Sequence, residues 1–238
     1  ADVPAAWLAE EVRLTDIVES CGAVVPRRRR IETVDGVEMM ITERIAGASM
    51  LLRALADPVE AHELGQRLAH IQLELTAVPV SFALPSQHDR LASKIRRTAM
   101  RHGDEWMAAI DLIPDHADAE LVVCHGDLHP RNVIMAESRD VIVDWFDTSR
   151  GQLAADVVRS LILLDDSIGE FADDEAARPA LMAFRRGYEE AVLALTGFEP
   201  GDLEPWWIVQ RVARLSEGIG LDRRASFAEA LAGAINRR

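Results

Sequence analysis

The run Cys124-His125-Gly126-Asp127-Leu128-His129-Pro130-Arg131-Asn132 places a carboxylate and, five residues on, an amide oxygen in one short loop. A second acid, Asp144, closes the apolar run Val141-Ile142-Val143. Pairing of Met135 with Val141 in an antiparallel hairpin would set Asn132 opposite Asp144 at the open end, because paired numbers keep a constant sum. Asp127 then hangs in the loop just before them. Hard oxygen ligands of this kind suit magnesium. A carboxylate beside them, not consumed by the metal, can orient a hydroxyl and accept its proton. That is the equipment of phosphoryl transfer, in which the metal neutralises phosphate charge and the protein positions the nucleophile. A plain polar turn would not require three separate spacings to agree. His125, Asp127 and His129 alternate and would share one face of a strand, which is a zinc pattern and a metallohydrolase reading. That reading leaves Asn132 and Asp144 without a role, and Pro130 argues for a loop. His125 is expected to hold the loop by hydrogen bonds.

The elements around the loop must position it. Leu121-Val122-Val123, Val133-Ile134-Met135 and Val141-Ile142-Val143 read as short strands, so the loop stands on a rigid base. Upstream, Ala5, Leu8, Val12, Ile17 and Val18 lie on or near one face of a helix over residues 5–20, ended by Cys21-Gly22. Asp35-Gly36 signals a hairpin whose returning strand is Val37 to Ile41. Asp57-Pro58-Val59-Glu60 reads as a helix start, with Asp as cap and Pro at the first position. Residues 86–115 read as helical, ended by Pro114. After Gly151 the pattern is helical throughout, and Ser226-Phe227-Ala228-Glu229 reads as the capping box of the last helix.

The run HGDLHPRN, followed by VDWFD, Gly151 and Asp156, resembles the aminoglycoside phosphotransferase and choline kinase family, whose members share the protein-kinase-like fold. The Asp-to-Asn spacing also matches the kinase catalytic loop. The resemblance implies that Asp127 is the catalytic base, that Asn132 and Asp144 hold magnesium, and that Asp156 braces the loop. Leu8 to Gly22, then Val25-Pro26, resembles the helix that carries the lysine-pairing Glu, with Glu11 the better register and Glu10 the alternative. Met40 to Gly47 resembles the last strand and hinge, where backbone groups of Glu43 and Ile45 would meet adenine. Arg131 stands where the family often has Gly, and its guanidinium could contact a phosphate. Tyr188-Glu189-Glu190, Trp206-Trp207 and Arg214 to Gly218 are similar to the family's C-terminal part. One departure stands out: no Gly-rich loop precedes the first helix, and no lysine precedes Lys94.

The implied fold is α+β, a protein-kinase-like two-lobed fold. A truncated N-terminal lobe with its hinge spans about residues 1–46, and a mainly helical C-terminal lobe with the catalytic loop and hairpin spans 47–238. The implied activity is ATP- and magnesium-dependent transfer of the γ-phosphate to a hydroxyl of a small molecule, an aminoglycoside or another amine-bearing alcohol among them. The alternative is a non-catalytic pseudokinase, a binding module without the phosphate loop and lysine.

Composition bounds the partners. Twenty-six basic against 40 acidic residues give a net charge of −14, which repels a phosphate backbone and disfavours a nucleic-acid coat protein. Arg27 to Arg30 therefore read as a solvated strand edge or loop. Asp165, Asp166, Glu170, Asp173 and Asp174 form an acidic cluster, a solvated helix end or a seat for an amine. Only one of Trp206 and Trp207 can face the core well. Two cysteines, Cys21 and Cys124, with no CxxC pair, give no zinc knuckle or disulfide framework and suit a reducing cytosol. No apolar run approaches the roughly 20 residues of a membrane span. The opening Ala1-Asp2-Val3-Pro4 carries no signal-peptide pattern.

Overall fold

The computed structural model describes residues 5–114 and 120–237. Residues 1–4, at the start of the expected N-terminal lobe, and residue 115, at the end of the expected helix 86–115, lie outside the described residues. The chain opens with α1 (Ala5–Ser20), which buries Leu8, Leu14 and Val18. A hairpin follows, β1 (Arg30–Val34) and β2 (Val37–Ile41), with Val34 opposite Val37. Asp35 and Gly36 turn it with φ of 51° and 81°, the positive pair that a two-residue primed turn requires. The arginine run does not act as one patch. Arg29, with its side chain 5% exposed, bridges Asp16 and Glu19 of α1 and fastens hairpin to helix, while Arg27 and Arg28 are exposed.

Next, β3 (Gly47–Ser49) runs directly into α2 (Met50–Ala56). The Ser49 hydroxyl accepts from Leu52 N at 3.3 Å, a side-chain cap. Asp57 does not open a helix at Pro58. Its backbone N–H is already donated to Arg53 O, so it closes α2, and α3 (Ala61–Glu74) begins after Glu60. α4 (Gln87–His102) is capped by Ser86 and stops at Gly103, whose φ of 123° cannot continue a helix. The helix expected over 86–115 thus ends at His102 and gives way to a short 3-10 helix, Asp104–Ala109.

The strands that frame the loop are β4 (Val122–Cys124), β5 (Val133–Ala136), β6 (Asp140–Ile142) and β7 (Ser149–Gly151). The first and last pair with each other, while β5 lies between β3 and β6, all antiparallel. The register differs by one from the expected one: Ile134 faces Val141, and Met135 faces Asp140. The cause is the turn. Ala136 N donates to Arg139 O and closes a two-residue connection at Glu137-Ser138, the favoured hairpin length; pairing Met135 with Val141 would leave an odd loop. Asn132 therefore faces Val143, whose N–H donates to Asn132 O at 2.9 Å, and Asp144 lies one residue beyond.

The remainder is helical: α5 (Leu153–Glu170), α6 (Ala177–Thr196), α7 (Pro200–Leu215) and α8 (Arg224–Asn236). α5 is the axis of the core. Every residue from Ala154 to Leu164 is buried, which requires neighbours all round, and α6 and α7 pack on it. Each buried leucine or valine there contributes about 2 kcal/mol. Gly65 of α3 and Gly187 of α6 let those helices approach closely: a Cβ at either would strike a backbone carbonyl of the other helix. Ser226 forms no capping box, because α8 already begins at Arg224 and the Ser226 hydroxyl donates back to Arg223 O. Trp206 is 2% exposed, and Trp207 packs at the core's edge beneath the Arg211 guanidinium, 5.0 Å from its ring centre. No helix of the described residues is long and apolar enough to cross a membrane.

Candidate active site

β4 delivers the loop, and Asp156 of α5 fastens its backbone from behind. One Asp156 oxygen accepts from His125 N at 3.2 Å and from Gln72 Nε2 at 2.8 Å; the other accepts from Gly126 N at 2.8 Å. Gly126 turns the chain at φ 79°, and a Cβ there would strike Asp147 O, so the position demands glycine. His125 is fully buried and rests on the Trp145 ring at 4.8 Å. Its Nδ1 accepts from Asp127 N and its Nε2 donates to Val143 O, both at 3.2 Å. Burial pushes its pKa below the usual histidine value, so the ring is a neutral loop brace with no lone pair to spare for zinc. Among the described residues no three His, Cys, Asp or Glu side chains are grouped to hold a metal ion.

Asp127 projects where the loop turns. Its Oδ1 accepts from Arg159 Nη2 at 2.9 Å, and its Oδ2 lies 3.5 Å from both His129 Nε2 and Asn132 Nδ2. Burial would raise its pKa, but the hydrogen bond from His129 and the charge of Arg159 outweigh burial and hold the carboxyl well below the usual range. The Arg159 side chain is 4% exposed. It also donates to Gly126 O at 3.1 Å and to both Glu217 oxygens at 3.1 and 3.2 Å. Sequence reasoning missed this arginine. Its signal was present: a charge inside the apolar run Val157-Val158-Arg159-Ser160-Leu161, where a buried cation must have partners.

Asn132 donates from Nδ2 to Asp127 O at 3.0 Å, and its Oδ1 accepts no hydrogen bond among the described residues. Asp144 holds a left-handed φ of 63°, which costs a residue with a Cβ about 1 kcal/mol. Its carboxylate also accepts no hydrogen bond among the described residues. Desolvation in the cleft, then the negative charges of Asp127 and Asp147, raise its pKa. Two oxygen donors with free capacity beside unneutralised charge fit magnesium, which takes one or two protein ligands and leaves the rest to water and phosphate. Glu11 of α1 points to the same place. Burial and the Asp144 charge push its pKa up to about 7. Glu10, the other register, pairs with Arg13 at 2.7 Å instead.

The remaining expected residues separate. Arg131 does not turn toward the cleft: exposed on its loop, it pairs with Glu170 at 2.6 Å. Glu43 spends its N–H on Arg27 O at 3.0 Å and its carboxylate on Arg27 N at 2.9 Å. The Ile45 backbone groups have no partner among the described residues. The acidic cluster is largely engaged by the chain itself. Asp165 pairs with Arg185 at 2.5 Å and Asp166 with Arg214 at 3.0 Å, while Asp174 accepts from Ala176 N and Ala177 N.

The known structures that resemble this one are phosphotransferases. An aminoglycoside-3'-phosphotransferase of type VIII superposes with a TM-score of 0.59 at 19% identity, covering 87% of this chain and 80% of that one. A glucosamine kinase in complex with glucosamine, ADP and inorganic phosphate gives 0.51 at 15%, covering 95% and 67%. Aminoglycoside phosphotransferase APH(3'')-Id from Streptomyces rimosus, with ADP and streptomycin, gives 0.52 at 18%, covering 89% and 84%. At these identities the likeness establishes the fold: a protein-kinase-like architecture with a small N-terminal part and a helical C-terminal part. No curated protein sequence matches the chain. The family described as "Phosphotransferase enzyme family" matches residues 2–200. That span takes in the loop, the hairpin and all of α5 and α6, and by it this chain belongs to the phosphotransferase enzyme family.

Proposed function

We propose that the protein transfers the γ-phosphate of ATP to a hydroxyl of a small molecule, with magnesium. The observation that supports this reading is the convergence of Asp127, Asn132 and Asp144 on one loop and hairpin, with Asn132 Oδ1 and the Asp144 carboxylate still open among the described residues. Arg159 occupies Asp127 Oδ1, so Oδ2 is the oxygen that meets the acceptor hydroxyl. A carboxyl whose pKa is held so low is a weak base. Its work is to orient the hydroxyl and to take the proton late, when the bond to phosphorus is largely made. Asn132 Oδ1 and the Asp144 carboxylate would hold magnesium, which when bound neutralises charge on the phosphates. In this reading residues up to 46 form the small lobe on the nucleotide side, and the Ile45 backbone groups would meet adenine. The residues from 47 onward carry the chemistry.

A module that binds nucleotide without turnover is the second reading. Lys94 is tied to Asp147 at 2.6 Å and Glu217 at 3.0 Å and so does not serve as a partner of Glu11. Thermal melting with ATP, with and without magnesium, together with ADP release over a panel of alcohols, separates the two. A ligand that binds only the folded state raises Tm. The phosphotransferase reading expects a magnesium-dependent shift that Asp144→Asn loses, and ADP release that depends on an alcohol. Asp127→Asn should keep the shift and lose the release by a factor of at least about 100, the size of a general-base contribution. A shift with no alcohol-dependent ADP release would support the module.

A further inference from the structure

A second cleft opens beside the first. α4 carries Arg90, Lys94, Arg97 and Arg101 at i, i+4, i+7 and i+11, a single stripe along the helix. With Phe146 and the carboxylates of Asp147 and Glu217, they line a cavity of about 530 Å³. Four cations against two carboxylates make it a positive pocket in a chain of net charge −14. Both carboxylates are already engaged. Lys94 Nζ bridges them, and Glu217 also takes Arg159 and Arg214.

The arginines, by contrast, have donors to offer, Arg97 and Arg101 from exposed positions and Arg90 from a partly buried one. Arg97 donates to the Ser93 hydroxyl at 3.1 Å and Arg101 to the Ser216 carbonyl; neither has a carboxylate partner among the described residues. Arg90 stands 3.6 Å from Asp147, and its buried Nε has no acceptor among the described residues. A buried donor without an acceptor is costly, and an oxyanion would supply acceptors in the fork geometry that guanidinium groups favour. The pocket is linked to the Asp127 loop through its own lining residues Lys94 and Glu217. Lys94 Nζ and Arg159 Nη2 meet on the same Glu217 oxygen, and Arg159 holds Asp127.

We propose that this pocket binds an oxyanion, phosphate or carboxylate, carried by the molecule whose hydroxyl Asp127 orients. The binding itself follows from the arginines; only the identity of the carrier rests on the phosphotransfer reading. The acids that could seat an amine point the same way, since Asp165, Asp166 and Glu170 are each paired with an arginine.

The test has two arms. In the first, inorganic phosphate is titrated calorimetrically at constant ionic strength, without nucleotide or magnesium, into the wild type, Asp127→Asn and the doubly substituted Arg97→Gln/Arg101→Gln. The wild type and Asp127→Asn are expected to bind alike, and the double variant at least tenfold more weakly with an unchanged Tm. No phosphate binding, or equal binding by the double variant, overturns the site. In the second arm, ADP release is compared for glycerol, glycerol 3-phosphate and glycerate. A tenfold or greater preference for the charged acceptors, lost in the double variant, supports the acceptor as carrier. Preference for glycerol, with phosphate binding intact, overturns the acceptor as carrier and leaves a free anion. ADP release with none of the three overturns their assignment as acceptors, and the calorimetric arm still decides the site.

Discussion

Arg159 Nη2 stands 2.9 Å from Asp127 Oδ1, a contact that spans 32 positions of sequence and joins the core helix α5 to the loop between β4 and β5. The same guanidinium serves Gly126 O and both oxygens of Glu217, so one buried cation fixes the orientation of Asp127 and the turn that follows α7. Burial would raise the Glu217 pKa, yet Arg159, Lys94 and Arg214 hold it down to about 2.

Replacing that arginine should therefore expose two carboxylates to each other with no cation between them. Arg159→Met is expected to lower unfolding free energy by about 3–5 kcal/mol, the range for breaking a buried pair from one side. Arg159→Lys should recover little, because a single ammonium cannot reproduce the fork. The pH dependence gives a second readout. Carboxyls with depressed folded pKa values add stability above their unfolded values, and it is lost as pH falls through the folded ones. Between pH 4.5 and about 2 the wild type loses this contribution, and Arg159→Met should lose less of it. Urea melts across that range check both statements. A variant with wild-type stability at pH 7 would mean that the network contributes no net stability.

Glu11 has the opposite sign. Its pKa lies near 7 in the folded protein against about 4.5 when unfolded. A raised carboxyl adds stability that is complete below 4.5 and is lost as pH rises through 7. Measured against Glu11→Gln, the wild type should therefore become less stable between pH 5 and pH 8. Glu11 is only half-buried, so solvent screening limits the difference to the order of 1 kcal/mol. Parallel curves for the two proteins across this range would refute the shift at Glu11.

The contrast between Asp144 and Arg159 shows what a sequence displays and what it conceals. Asp127, Asn132 and Asp144 stood out in the sequence because the chemistry proposed for them depends on residue type and short spacing. The hairpin at Asp35-Gly36 was legible because that dipeptide suits positive φ at both positions. The register of the second hairpin was not, since Glu137-Ser138 carries no such preference. α2 escaped because seven residues show little periodicity, and Asp57-Pro58 imitates a helix start just where α2 ends. Arg159, Lys94 and the engaged acids Asp165 and Asp166 take their meaning from partners on other helices and loops, between 20 and 123 positions away. No local pattern encodes those pairings; they exist only once the core has packed.

Asp156 offers the sharpest test of how the loop is held. It is 2% exposed and accepts from His125 N, Gly126 N and the Gln72 amide. Removing it in Asp156→Ala takes the acceptor from His125 N and Gly126 N and leaves Gln72 Nε2 only the Ser160 hydroxyl at 3.4 Å, and an unsatisfied buried donor costs about 1–3 kcal/mol. Asp156→Asn keeps one accepting oxygen but turns an NH2 group toward donors, so it should rescue only partly. The stability loss alone would not distinguish a loop brace from a core residue. Amide exchange does. The His125 and Gly126 amides should exchange at least tenfold faster in both Asp156 variants and remain slow in Asp127→Asn, which leaves the brace intact. Slow exchange in Asp156→Ala would instead assign the restraint to His125, whose ring bridges Asp127 N and Val143 O across the mouth of the hairpin.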